Sequence, residues 1–288
     1  MFGKTTYFYP HKTLKLGGRL LDLSTPKVMG ILNVTPDSFY DGGQYIGITH
    51  ALKQTEKMIE EGASILDIGG MSSRPGAEII DVKEELRRVL PILDAVKKHF
   101  TIPVSLDTVH AKVAEEGISH GADMINDISA GGIEENIISV CAKSQVPYIL
   151  MHMQGTPKTM QQNPTYKNIT EEVFTFLLQK CREISTKGIH EIVVDPGFGF
   201  GKNVEQNYEL ANRLETFQLL GFPILAGISR KSIICKVLKI NPEKALNGTT
   251  ALHAILLLKG ANILRVHDVK EAMEVIQIVE HLNPELQE

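Results

Sequence analysis

From Lys27 onward the chain alternates short apolar runs with longer amphipathic ones. The short runs lie at 27–34, 64–68, 103–107, 123–127, 147–151, 191–195, 223–227 and 262–267. They are apolar on successive residues, as strands of a parallel sheet covered on both faces should be. Between them, Val82, Leu86, Val89, Leu90, Leu93 and Val96 keep helical spacing, as do Ile169, Val173, Phe176, Leu177 and Ile184. Strand and helix in strict alternation predict βα units.

The punctuation sharpens the count. The first, third, fifth and seventh strands open with Pro26, Pro103, Pro147 and Pro223, where no ladder donor is yet required. The other four follow Gly62, Gly121, Gly188 and Gly260, each placed to end the preceding helix in a left-handed cap. Eight strands in two alternating classes predict a single (β/α)8 TIM barrel domain over residues 1–288, in preference to an open doubly wound sheet. Residues 1–26, turning at Lys15-Leu-Gly-Gly-Arg-Leu20, form an expected N-terminal hairpin that plugs the barrel's bottom.

Polar residues gather where strands end. Asn33, Asp67, Asp107, Asn126, Asp127, Asp195, Arg265 and His267 all stand at C-terminal strand ends, the face on which barrel enzymes carry their chemistry. A single Asp there is an ordinary helix cap, but so many ends converging on one mouth predict a pocket. Arg265 and His267, two apart on one strand, should point the same way and meet a helix start near Ser229, an arrangement suited to an anion. No His pair at helical spacing or paired Cys marks a transition-metal site, whereas magnesium held partly by substrate phosphates needs few protein ligands. Gly197-Phe-Gly-Phe-Gly201 lacks the spacing of a dinucleotide fingerprint, and Met151-His-Met153 is expected to pack rather than ligate.

Composition changes this picture little. The chain of 288 residues is 43% hydrophobic and carries a net charge of −4 with no long basic run, which argues against a nucleic-acid partner. Cys141, Cys181 and Cys235 are too scattered for a disulfide framework and are expected to be buried spectators. No signal-like N-terminus and no membrane-length apolar run are present, so a cytoplasmic protein without a membrane partner is expected.

The loops are specific enough to name a family. Met29-Gly-Ile-Leu-Asn-Val-Thr-Pro-Asp-Ser-Phe-Tyr-Asp-Gly-Gly43 and Asp67-Ile-Gly-Gly-Met-Ser-Ser-Arg-Pro-Gly76 resemble the two signatures of dihydropteroate synthases. Ser105-Leu-Asp-Thr108, Ile125-Asn-Asp-Ile-Ser-Ala-Gly131, Leu150-Met-His-Met-Gln-Gly-Thr-Pro157, Asp195-Pro-Gly-Phe-Gly-Phe-Gly201, Gly227-Ile-Ser-Arg-Lys-Ser232 and Leu264-Arg-Val-His-Asp268 continue the resemblance in order. The second signature departs from the family, with Met71 in place of its usual Glu and Ser73 in place of Thr.

The resemblance implies an enzyme of folate synthesis, a sulfonamide target, that displaces diphosphate from 6-hydroxymethyl-7,8-dihydropterin diphosphate with the amine of para-aminobenzoate. It implies that Asp195 accepts the pterin's paired N–H groups, that Asn126 reads the adjoining edge, and that Lys231 donates to the ring. Asp107 would contact the ring and stabilise positive charge as the C–O bond breaks. Asp107, Lys231 and Arg74 are thus the implied catalytic set. Arg265 and His267 would hold the diphosphate, Asn33 would contact magnesium (Mg2+), Ser232 would receive the benzoate carboxylate, and Ser73 and Phe200 would line the substrate site. Loops 35–47 and 70–81 would close over the pocket and exclude water. The family is typically homodimeric. Two rivals share parts of the pattern: a pterin-binding methyltransferase on the same barrel, and a non-catalytic pterin-binding protein suggested by Met71.

Overall fold

The computed structural model describes residues 12–34, 44–72 and 76–282. An antiparallel hairpin comes first, β1 (Thr13–Leu16) and β2 (Arg19–Asp22). Parallel strands follow: β3 (Lys27–Asn33), β4 (Ile65–Gly69), β5 (Val104–Asp107), β6 (Met124–Asp127), β7 (Tyr148–Met151), β8 (Ile192–Asp195), β9 (Leu225–Ala226) and β10 (Ile263–Val266). They pair in the order β8-β7-β6-β5-β4-β3-β10-β9. A parallel bridge between Val194 and Ile224 brings the two ends of that series together, so the sheet is a nearly closed barrel. Helices α1 (Gln44–Glu60), α2 (Val82–His99), α3 (Ala111–Ser119), α4 (Asn136–Ser144), α5 (Ile169–Thr186), α6 (Val204–Asn212), α7 (Ser232–Leu238), α8 (Leu246–Leu258) and α9 (Val269–Leu282) lie between and after the strands. The architecture is a (β/α)8 barrel.

The strand-opening prolines keep their place in the ladder through their carbonyls. Pro103, Pro147 and Pro223 O accept from Leu66, Ile125 and Val194 N–H at 2.9, 3.0 and 2.9 Å. The glycines before the other strands are left-handed, with φ of +103° at Gly62, +97° at Gly121, +100° at Gly188 and +94° at Gly260. The residue after each donates to a carbonyl five positions back: Ala63 to Met58, Ala122 to Gly117, Ile189 to Ile184 and Ala261 to Leu256. This is the Schellman pattern, and it turns each helix back toward the barrel. β9 is shorter than the expected strand because Ile224 is taken up in the bridge and in bonds from Asn262 and Ile263, and the chain leaves the ladder after Ala226.

Side chains alternate between two faces. Leu66, Ile68, Val104, Leu106, Ile125, Leu150, Val194, Leu264 and Val266 point outward into the layer formed with Val89, Leu93, Val173 and Leu177 of the helices. The inward positions at the strand starts, Met29, Ile65, Met124, Ile149, Val193, Leu225 and Ile263, pack on Leu14 and Leu16 of the hairpin. The hairpin therefore seals one end of the barrel with apolar side chains, and the inward polar positions lie toward the other end. Cys141 and Cys181 are buried, and burial pushes the Cys181 thiol up to about 12, far from reactivity. Cys235 departs from the expectation by being only half-buried, since α7 is short and its outer side faces solvent.

Candidate active site

Strand register brings the site together. Asn33, Gly69, Asp107 and Asn126 are successive partners across β3, β4, β5 and β6. Asp67, one inward step below and fully buried, accepts from Asn126 Nδ2 at 3.2 Å and from Arg265 Nε at 2.6 Å. Arg265 also donates through Nη2 to Asp107 Oδ2 at 2.7 Å. Across the mouth, Asp195 Oδ1 accepts from Gly197 N–H at 2.7 Å. Lys231 Nζ donates to Phe198 O and sits 4.4 Å above the centre of the Phe200 ring. A Cβ on Gly227 would lie 3.9 Å from both Asp195 Oδ2 and Lys231 Nζ, so the missing side chain leaves a gap between these charges.

The charges are arranged for use rather than stability. Burial raises the Asp107 carboxyl to about 7, with Arg265 pulling it down and Asp67 pushing it up. Burial also raises Asp195, against the pull of Lys231 and the Gly197 N–H. Lys231 is lowered by burial to about 8, with Asp195 opposing that shift. Groups poised near neutrality at the open end of a barrel are candidates for chemistry.

The sequence-expected residues fall into three groups. Asp107, Asn126, Asp195, Lys231 and Arg265 converge, and Phe200 lies beside Lys231 in a cluster with Met71, Val109, Ile128, Met151 and Met160. Asn33, His267 and Ser232 are exposed around the rim. Ser73 and Arg74 lie outside the described residues, as does the expected loop 35–47 up to Gln44, where α1 begins. Arg265 and His267 do not act as a simple pair. Two of the Arg265 nitrogens are committed to carboxylates inside the barrel, whereas His267 Nδ1 lies 3.1 Å from Ser229 Oγ. The helix expected near Ser229 begins three residues later, at Ser232, with Lys231 as its cap. Asp127 faces outward and accepts from Ser129, Gly131 and the Tyr148 hydroxyl, so it braces a loop. Met151-His-Met153 does pack, with the His152 ring edge-on to Phe176 at 4.9 Å.

Sequence reasoning missed the central role of Asp67, although its inward parity with Gly69 was a usable signal. It also missed Lys202, whose burial nothing in the pattern announces, and Glu134, which accepts from Ala111 N–H and meets His110 Nδ1 at 2.6 Å. Among the described residues no cluster of three or more His, Cys, Asp or Glu could hold a metal. Two side-chain oxygens are on offer: Asn33 Oδ1 and Asp107 Oδ2 lie 3.8 and 3.7 Å from the point a Cβ on Gly69 would fill. That sparse set suits magnesium, which brings waters and phosphate oxygens with it.

A family model described as pterin binding enzyme matches residues 29–267. The dihydropteroate synthase of Escherichia coli (strain K12) is 44% identical over 265 residues, covering 91% of this chain and 94% of that protein. That of Haemophilus influenzae is 45% identical over 267 residues, covering 92% and 97%. The Yersinia pestis dihydropteroate synthase, solved with a sulfonamide drug complex, superposes with a TM-score of 0.89 at 41% identity over 94% of this chain and 99% of that one. The Xanthomonas albilineans enzyme, solved with 4-aminobenzoic acid, gives 0.88 at 38% identity over 94% and 98%. With the fold and nearly the whole length shared, the chain belongs to the pterin-binding enzyme family, among its dihydropteroate synthases.

Proposed function

We propose that the open end of this barrel joins 6-hydroxymethyl-7,8-dihydropterin diphosphate to para-aminobenzoate, releasing diphosphate and forming 7,8-dihydropteroate. The observation that carries this reading is that Asp195, Lys231 and Arg265 surround the gap above Gly227, while Arg265 reaches on to Asp107 and, with Asn126, to Asp67. Asp195 Oδ2 accepts the ring N–H and 2-amino group, Asn126 reads the adjoining edge, and Lys231 donates to a ring acceptor. Asp107 faces the carbon from which diphosphate departs and stabilises the positive charge that grows there. The amine of para-aminobenzoate takes the vacated bond and loses its proton. Phe200 borders the benzoate ring, Ser232 at the start of α7 meets its carboxylate, and sulfonamides compete for that place. His267 and the remaining face of Arg265 hold the diphosphate. Asn33 would hold magnesium brought with the diphosphate, and the ion would neutralise charge on the leaving group. Ser73 and Arg74 complete the contacts from their loop. The test is diphosphate release with and without para-aminobenzoate: release that depends on the amine supports the reading. Pterin binding without such release refutes it, in favour of a methyltransferase or a binding protein.

Met71 is 6% exposed and packed against apolar neighbours, so it stands in the loop as a packing residue. Met71→Glu is expected to bury a carboxylate and cost about 1–3 kcal/mol of stability. The buried acid's raised pKa makes the deficit smallest at low pH, where it is neutral, and it grows as pH rises. Activity per folded molecule should stay within about tenfold, about 1.4 kcal/mol in barrier. Thermal melts and turnover of both proteins check this, and a large gain in turnover on Met71→Glu would contradict it.

Two further assignments belong to the same reading. The expected location is the cytoplasm; among the described residues no helix is long and apolar enough to cross a membrane. Val237 and Leu238 on α7, Ile255 and Leu258 on α8, and Ile278 and Leu282 on α9 are exposed on neighbouring helices, which supports a homodimer built on this side. Sedimentation is expected to give twice the chain mass, with Ile255→Glu, Leu258→Glu shifting the protein to monomer. A monomeric wild type would refute it.

A further inference from the structure

The Gly197–Gly201 turn is wrapped around a buried lysine. Lys202 is 1% exposed, and its Nζ donates to Gly197 O at 2.8 Å and Phe200 O at 2.9 Å. The same Nζ lies 3.0 Å from His152 Nδ1 and 3.3 Å from His152 O, at the end of β7. Gly197, Gly199 and Gly201 all have positive φ, and a Cβ on Gly197 would fall 1.9 Å from His152 O. The turn is thus pressed onto β7 in a shape that points two of its own carbonyls, and that of His152, at one amine. Burying a lysine is expensive, and a methionine of similar length would fill the space at less cost. Its retention calls for a role that packing does not supply.

Two of the carbonyls that Lys202 gathers belong to a turn whose other groups face the site. Gly197 N–H holds Asp195 Oδ1, Phe198 O receives Lys231, and the Phe200 ring lies under Lys231. We propose that Lys202 is a positioning residue for pterin recognition, folding the 197–201 turn so that Asp195 and Lys231 are aimed at the ring. The inference rests on the reading that Asp195 accepts the pterin. Lys202 also acts through charge. Asp195 is faced by Lys231, Lys202 and Arg265 and by the Gly197 N–H, all of which favour its ionised form against burial. Burial pushes Lys202 itself well below the ordinary lysine range, with Asp195 pulling it back up and Lys231 adding to the fall, and burial and Lys202 together keep His152 neutral. Removing Lys202 deletes one of these cations and loosens the Gly197 N–H. Asp195 then keeps its proton to higher pH, and pterin binding, which needs the carboxylate, weakens earlier as pH falls.

The test measures binding of 6-hydroxymethyl-7,8-dihydropterin diphosphate to the full chain by calorimetry from about pH 5 to 9. Wild type, Lys202→Met and Lys202→Gln are compared, with thermal melts alongside. Lys202→Met is expected to fold, to bind the pterin roughly tenfold more weakly at neutral pH, and to recover toward wild type as pH rises. A folded Lys202→Met with wild-type affinity and pH profile overturns the proposal, as does a loss that is uniform across pH. If Lys202→Met does not fold, Lys202→Gln decides by the same criteria. If neither folds, the lysine is a general stabiliser and the proposal fails. A wild type that binds no pterin would instead overturn the functional reading, and this inference with it.

Discussion

Asp107→Asn is expected to lower kcat by at least about a hundredfold while changing pterin affinity far less, because it removes charge and keeps shape. Asp107 is one register step from Asn126 and shares Arg265 with Asp67. The buried pair of carboxylates on one guanidinium leaves a surplus negative charge facing the mouth. An asparagine keeps the acceptor for Arg265 and removes that surplus. The pH dependence offers a second reading of the same variant. Burial raises Asp107 to about 7, so the wild-type carboxylate forms as pH rises through that value, and kcat should rise with it. Below it the group is protonated and the stabilising charge is gone. The Asn variant should lack this ascending limb. Stopped-time diphosphate assays across pH decide it, and wild-type turnover in Asp107→Asn would remove Asp107 from the catalytic set.

Asp195→Ala is expected to act on binding instead. The loss of a charged two-point acceptor should cost about 2–3 kcal/mol of pterin affinity, roughly thirty- to a hundred-and-fifty-fold in Kd. Part of the effect arises within the protein, since Gly197 N–H loses its acceptor and Lys231 and Lys202 lose the anion between them. Lys231 should then titrate below its value of about 8, because Asp195 opposes the effect of its burial more than Asp107 does. Calorimetry with the pterin diphosphate and a melt to confirm folding make the measurement. Unchanged affinity in a folded Asp195→Ala would place the pterin elsewhere.

Much of the barrel was visible in the amino-acid sequence because its signals are local. A proline opening a strand and a glycine closing a helix act through their own backbone geometry, and they recur at intervals set by the βα unit. Each strand runs apolar on successive residues until its C-terminal end, so the polar residues there stood out. Asp107, Asn126, Asp195 and Arg265 could therefore be named without coordinates, and the motifs around them pointed to pterin chemistry.

Other features arise from residues far apart in the chain. Arg265 meets Asp67 across 198 positions and Asp107 across 158, and only barrel closure turns a rim arginine into the counter-ion of two buried acids. Lys202 looks like a solvated lysine after a glycine-rich stretch, and its burial depends on how that turn lies on His152 at the end of β7. Met71 read as a lost carboxylate, and its apolar neighbours Val109, Ile128 and Phe200 come from three other segments. The physical reason is common to all three. Local geometry depends on neighbours along the chain, whereas burial and electrostatic partnership depend on which distant side chains the closed barrel brings within a few ångströms.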